Sequence, residues 1–165
     1  MSILNKKYLP DFVFGAVDGL VTTFAVVSGV VGASLSSSII LILGFANLFA
    51  DGFSMAVSNY LSSRSVEDLD QNHSEKKALF AAVVTFLAFV FIGFIPLLPF
   101  VIDFGKNNFL ISSILTLISF SLVGYIKAYI TQTSRIFSSL QTLLVGALAA
   151  GIAYVIGYLL SQLGV

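Results

Sequence analysis

Two aspartates inside long apolar segments are the residues of this chain best placed to do chemistry. Asp18 lies in the run FVFGAVDGLVTTFAVV and Asp51 in the run LILGFANLFADGFSMAV. A charged aspartate at the centre of a membrane helix costs roughly 2.5 to 3.5 kcal/mol on insertion scales. An intramembrane acid that the helix itself does not require indicates a functional site. The alternative is a buried polar contact that joins two helices.

The second run carries a polar stripe that contains one of these acids. Asn47, Asp51, Met55 and Asn59 recur every four residues, so they drift only about 40° per step around a helix. Amide oxygen, carboxylate and thioether form a mixed ligand set that suits Fe²⁺ or a similar transition ion, whereas Mg²⁺ and Ca²⁺ prefer oxygen alone. A methionine without a neighbouring acid is more often a filler of apolar cores. We therefore predict metal ligands at Asp18, Asp51, Met55 and Asn47.

The first run places its acid among small and polar residues. Gly15, Asp18, Gly19 and Thr22 share one helical face, and a GxxxG pair permits close helix packing. We expect a helix-packing role for Gly15 and Gly19 on a self-associating face of this span. A residue near the axis of a twofold dimer occurs twice, so two Asp18 side chains would serve one divalent cation. Thr22 and Asn59 are expected along the transport path.

The composition indicates a membrane protein in which these acids lie within the bilayer. Hydrophobic residues make up 58% of the 165 positions and charged residues 10%, and the mean hydropathy is +1.02. This balance excludes a disordered chain and a basic nucleic-acid binder. Five apolar runs have the length of about 20 residues that crosses a bilayer. We predict one all-α transmembrane domain over residues 1–165 with five helices, at about 12–33, 39–61, 79–100, 109–130 and 139–160.

Basic residues set the expected orientation of these helices. Seven of the eight fall on one side of the predicted bundle, and only Lys106 falls on the other. The seven are Lys6, Lys7, Arg64, Lys76, Lys77, Lys127 and Arg135. The positive-inside rule therefore predicts a cytoplasmic N-terminus and an outer C-terminus. The short loops and the absence of a targeting segment favour a prokaryotic inner membrane.

Enzymatic chemistry finds little support in the sequence. The chain has no Cys and one His, which removes thiolate nucleophiles, disulfides and thiolate metal sites. It carries no phosphate-binding glycine loop and no recognisable serine nucleophile with a partnering histidine. We expect neither an enzyme nor a bound cofactor.

The motifs around both acids resemble those of the vacuolar iron transporter (VIT) family. The resemblance rests on FGAVDGLVTT at 14–23, ADGFSMA at 50–56 and NYL at 59–61. Segments similar to the later spans of that family are FLAF at 86–89, GFIPLLP at 93–99, Gly124, Lys127 and LLVG at 143–146. The resemblance covers nearly the whole chain from Asp11 onward.

This resemblance implies a five-helix protomer that forms a homodimer around a central path. It implies export of cytosolic Fe²⁺ or Mn²⁺ in exchange for protons, with Asp18 and Met55 at the positions of the family's membrane metal ligands. The chain departs from the family's better-known members in two places. It has Asn47 where they have a glutamate, and a short connection at 62–78 where they carry a long Glu-rich insertion that collects metal.

The short connection still contains several groups that could bind a cation. They are Glu67, Asp68, Asp70, His73 and Glu75. Since acids mixed with Lys and Arg are typical of any cytosolic loop, a solvated connector is the leading interpretation. A weak role in capturing cytosolic metal is the alternative.

Three functions remain open for the chain as a whole. In the first, a buried carboxylate binds either a proton or a metal ion, because low dielectric favours the neutral acid and a divalent cation favours the ionised form. Proton entry then drives metal export. The second is a passive cation channel with no proton coupling. The third is a membrane scaffold that transports nothing and whose acids only fix helix packing.

Overall fold

A computed structural model describes residues 7–69 and 75–163 of the chain. These ranges contain six α-helices and no strand, which confirms the predicted all-α class. The α-helices are α1 (Leu9–Gly32), α2 (Ser37–Leu69), α3 (Glu75–Gly93), α4 (Leu98–Ile102), α5 (Asn108–Thr131) and α6 (Arg135–Gln162).

Five stretches are long and apolar enough to cross a membrane, as the hydropathy of the sequence predicts. They are Leu9–Gly32, Ser37–Val66, Lys77–Ile102, Gly105–Thr131 and Arg135–Gln162. The third joins α3 to the short α4 through a 3-10 turn at Ile95–Leu97. The helix α2 continues to Leu69, past the expected end of its span at 61, because the polar residues after Leu61 still form helical hydrogen bonds.

Helix α1 is the centre of the bundle and packs against α2, α3, α5 and α6. Half of the most apolar 18-residue stretch of α1 is buried, against 22% of that of α2 and 6% of that of α6. Two apolar clusters account for this burial, one around Ala16 and Leu20 and one around Phe24, Val27 and Val30. The outward-facing sides of α2 and α6 are therefore exposed on a single chain.

The two glycines of the GxxxG pair lie against α3 of the same chain. A Cβ atom on Gly19 would stand 2.5 Å from the carbonyl oxygen of Phe89, and one on Gly15 would overlap the carbonyl of Thr85. The two backbones approach this closely because neither glycine carries a side chain. The expectation of a self-associating face on span one is thus wrong for these glycines, since their face is already covered by α3.

The turn between α4 and α5 is held by side chains at its polar end. Asp103 has a left-handed backbone with φ of 62°. Its Oδ1 accepts hydrogen bonds from the amide N–H of Gly105 and from Nδ2 of Asn108, each at 3.1 Å. These bonds stabilise the ionised carboxylate and lower the pKa of Asp103. The hydroxyl of Ser112 donates to the carbonyl oxygen of Pro96 at 2.6 Å, which ties α5 to the break in the third span.

Gly19→Leu is expected to prevent the packing of α1 on α3. A leucine there must displace backbone rather than a flexible side chain, so the folded protein should lose at least about 1 to 3 kcal/mol of stability. The measurement is the thermal unfolding midpoint in detergent. Gly151→Leu is the matched control, because nothing lies within 4 Å of a Cβ at that position. Equal midpoints for the two variants would contradict this packing.

Candidate functional site

The antiparallel contact between α1 and α2 brings the two predicted polar faces together. Asn47 donates through Nδ2 to Oγ1 of Thr22 at 3.2 Å and to Oγ1 of Thr23 at 3.3 Å. Thr22 in turn donates its hydroxyl to the backbone oxygen of Asp18 at 2.8 Å. These bonds place Asn47 at the depth of Thr22, near the middle of both spans.

Asp18 and Asp51 lie one helical turn from that contact, each toward the end of the bundle where α1 begins. Because the helices run antiparallel, the step from Thr22 to Asp18 matches the step from Asn47 to Asp51 in depth. Both carboxylates therefore lie at one depth of the membrane spans. Asp18 is half-buried and Asp51 is exposed on the single chain. We call these two residues the acidic pair.

The acidic pair has no partner among the residues that the structure describes. Neither carboxylate accepts a hydrogen bond there, and neither forms an ion pair within 7–69 and 75–163. Nor do three or more His, Cys, Asp or Glu side chains of those ranges come together as a metal site. A single chain therefore supplies two carboxylates and neighbouring neutral groups, which is an incomplete coordination sphere for a transition ion.

Met55 lies one turn beyond Asp51 on α2. Its side chain is half-buried and packs against the apolar cluster that contains Leu48 and Phe89. Met55 therefore contributes to the packing of α2 on the bundle and lies one turn from Asp51 on the same helix.

A second polar cluster joins α1, α2 and α3 at the end where α1 begins. Asn59 donates through Nδ2 to Oδ1 of Asp11 at 2.8 Å and to Oγ1 of Thr85 at 2.6 Å. Ser63 donates to Oδ1 of Asn59 at 3.3 Å. Sequence reasoning missed Asp11 as a site residue. The available signal was its position seven residues before Asp18, which places both acids on one face of α1.

The five groups expected to capture cytosolic metal cannot be placed. The side chains of Glu67, Asp68, Asp70, His73 and Glu75 lie outside the described residues.

Comparison with known proteins identifies similar chains. A model described as the VIT family matches the chain in two parts, residues 9–79 and 67–158. Vacuolar iron transporter 1 of Tulipa gesneriana is 28% identical over 87% of this chain and 83% of its own length. The vacuolar iron transporter of Plasmodium berghei is 25% identical over 95% of this chain and 84% of its own. That of Toxoplasma gondii is 40% identical over 73 residues.

These matches locate a difference in length between the chain and its relatives. The two matched parts overlap at residues 67–79, a stretch that includes the connection between α2 and α3. The alignment with the tulip protein is 206 positions long, more than the 165 residues of this chain. The relative therefore contains residues that have no counterpart here.

The relatives are named as transporters and not as enzymes, in agreement with the absence of enzyme motifs from the sequence. The family model covers all five spans, so this multi-pass membrane protein belongs to the VIT family.

Proposed function

We propose that the chain exports Fe²⁺ or Mn²⁺ from the cytosol in exchange for protons, along a path at the interface of a homodimer. The observation that carries this proposal is the acidic pair, two carboxylates at one depth of the membrane spans and without a partner among the described residues. The naming of its relatives as iron transporters supports the choice of a transition metal as cargo.

The energetics of the acidic pair favour a cationic occupant. Each ionised aspartate at the centre of a span costs roughly 2.5 to 3.5 kcal/mol, and repulsion between Asp18 and Asp51 adds to that cost. A divalent cation between them neutralises both charges. Asn47 donates through Nδ2, which leaves its amide oxygen for the cation, and Met55 adds the softer ligand that Mg²⁺ and Ca²⁺ disfavour.

The exposed face of α2 supports an interface between two copies of the chain. Beside Asp51, a stripe of small residues repeats every four positions and is exposed on the single chain. We call it the small-residue stripe; its members are Ala46, Ala50, Ser54 and Ser58. Small residues at this spacing allow membrane helices to approach closely. A twofold contact along this stripe would bring two acidic pairs to one seam and away from lipid.

Proton coupling follows from the two states open to these carboxylates. Only an ionised carboxylate binds the cation, whereas an apolar surrounding without a cation favours the neutral acid. Binding and protonation therefore exclude each other. The basic residues support the direction of transport, since Lys7, Arg64, Lys77, Lys127 and Arg135 lie toward the end where α1 begins and Lys106 lies toward the other. A prokaryotic inner membrane is the proposed location.

Asp18→Asn and Asp51→Asn are each expected to lower metal-driven proton flux at least tenfold, because an amide can neither hold a proton for exchange nor neutralise the cation. The measurement is Fe²⁺ or Mn²⁺ uptake into liposomes with an internal pH dye. Asp103→Asn makes the same chemical change outside the spans and should transport like the unmodified protein.

Two results would decide against this mechanism. Metal flux that moves no protons would identify a passive cation channel. A folded, unmodified protein that moves no metal would identify a scaffold.

Met55→Leu should keep the packing of α2 while removing the thioether. A swap of similar volume costs less than about 1.5 kcal/mol of stability, so the thermal midpoint should change little. We expect weaker competition of Fe²⁺ against Mg²⁺ in transport assays, because the remaining ligands are all oxygen. An unchanged preference for Fe²⁺ would assign Met55 to packing alone.

A cysteine at Ser54 is expected to form a disulfide between two copies in the membrane. The natural chain has no cysteine, so Ser54→Cys gives a single reactive thiol on the small-residue stripe. Leu148→Cys, on α6 and 66% exposed, is the control that should stay monomeric on a non-reducing gel. Cross-linking of both variants to the same extent would contradict an interface along α2.

A further inference from the structure

A groove reaches Asp18 from the side of the bundle formed by α1, α5 and α6. Its volume is about 370 Å³, and none of the residues that line it belongs to α2. The only charged residues in its lining are Asp18 and Lys127, accompanied by the polar Gln141 and Thr142. The remaining lining residues are apolar side chains of α1 and α6. The groove therefore reaches Asp18 from a side other than the contact between α1 and α2, and Asp18 is the one proposed metal ligand in its lining.

Lys127 lies on α5 one turn before that helix ends at Thr131. Its side chain is half-buried, with its aliphatic stem available to lie along apolar surface. Among the described residues it forms no ion pair with a carboxylate and no contact with an aromatic ring. Lys127 thus lines an apolar groove that contains one acid, and that acid belongs to the acidic pair.

We infer that Lys127 is a tethered positive charge that weakens the hold of Asp18 on the transported cation. This inference rests on the proposed function. In a groove of low dielectric, the positive charge of Lys127 attracts the ionised Asp18 carboxylate when the site is empty, so it competes with a divalent cation for that carboxylate. The charge is covalently attached, so it does not diffuse away with the cargo. Lys127 is thus a positioning residue that lowers affinity and speeds release.

The effect on affinity should be large because the charge acts across apolar side chains. Removing it should tighten binding about tenfold, the order of change expected for a pair of unit charges at an intermediate dielectric. A lysine that only fills the groove or extends to the surface would have no such effect on the cation. Its removal would instead lower stability and leave affinity unchanged.

The test measures Mn²⁺ affinity of the full-length protein in detergent and Mn²⁺ uptake into liposomes. Lys127→Gln and Lys127→Met are expected to bind Mn²⁺ about tenfold more tightly, with a lower KM and a lower maximal rate. Lys127→Arg should behave like the unmodified protein, because it keeps the charge. Arg135→Gln is the matched control: it removes one positive charge at the same end of the α5–α6 pair from a residue that does not line this groove.

A double variant separates a charge effect from a structural one. In an Asp18→Asn background, Lys127→Gln should change Mn²⁺ affinity less than twofold, because the partner charge is gone. Unchanged or weaker binding by the neutral variants, with thermal midpoints equal to that of the unmodified protein, would overturn the inference. A full tenfold effect without Asp18 would do the same.

The same experiment distinguishes this inference from the proposed function. If the unmodified protein transports Mn²⁺ and Lys127→Gln binds no more tightly, only the role of Lys127 is refuted. If the unmodified protein binds no Mn²⁺, the proposed function fails and the role of Lys127 fails with it. If Lys127→Gln does not fold, Lys127→Met and Lys127→Arg still give the comparison between a neutral and a charged side chain.

Discussion

An ionised carboxylate inside hydrocarbon must be neutralised, and the rest of this structure follows from that constraint. Hydrogen bonds from the chain itself could have stabilised the carboxylates of Asp18 and Asp51, as one does for Asp11, whose Oδ1 accepts from Asn59. The acidic pair receives none among the described residues. The contrast distinguishes two kinds of acid on one helix. Asp11 is bound into a contact among three spans, whereas Asp18 keeps its oxygens available.

The central position of α1 explains how its acid stays accessible while the helix is buried. Gly15 and Gly19 bring α3 into backbone contact on one side, and Ala16 and Leu20 pack in the cluster with Phe120 of α5. Packing on these sides fixes the rotation of α1. Asp18 consequently lines the groove that also contains Lys127. It lies one turn from the contact between Thr22 and Asn47. The glycines therefore position the site without taking part in it.

Local pattern was sufficient to predict the spans and the polar faces. Hydropathy and the recurrence of polar residues every four positions depend on one helix at a time, so they predicted five spans and a polar stripe on α2 that winds about 120° between Asn47 and Asn59. Which helix packs against which other helix depends on the whole bundle. A GxxxG pair indicates close approach but not to which helix, and here α3 of the same chain fills the role that a second copy was expected to fill. Asp11 was missed because a polar residue at a helix start is ordinarily solvated, and its contact with Thr85 joins residues 74 positions apart.

The departure at Asn47 has a physical consequence for the charge of the site. An amide donates to the hydroxyl oxygens of Thr22 and Thr23, and a carboxylate at the same place could not donate to either. Asn47 therefore holds α2 against α1 and adds no charge, so each chain contributes two acids at this depth, Asp18 and Asp51. Since fewer negative charges hold a cation less tightly, Asn47 and a positive charge at Lys127 act in the same direction. If the acidic pair binds the transported metal as proposed, both favour release of the cation over its retention.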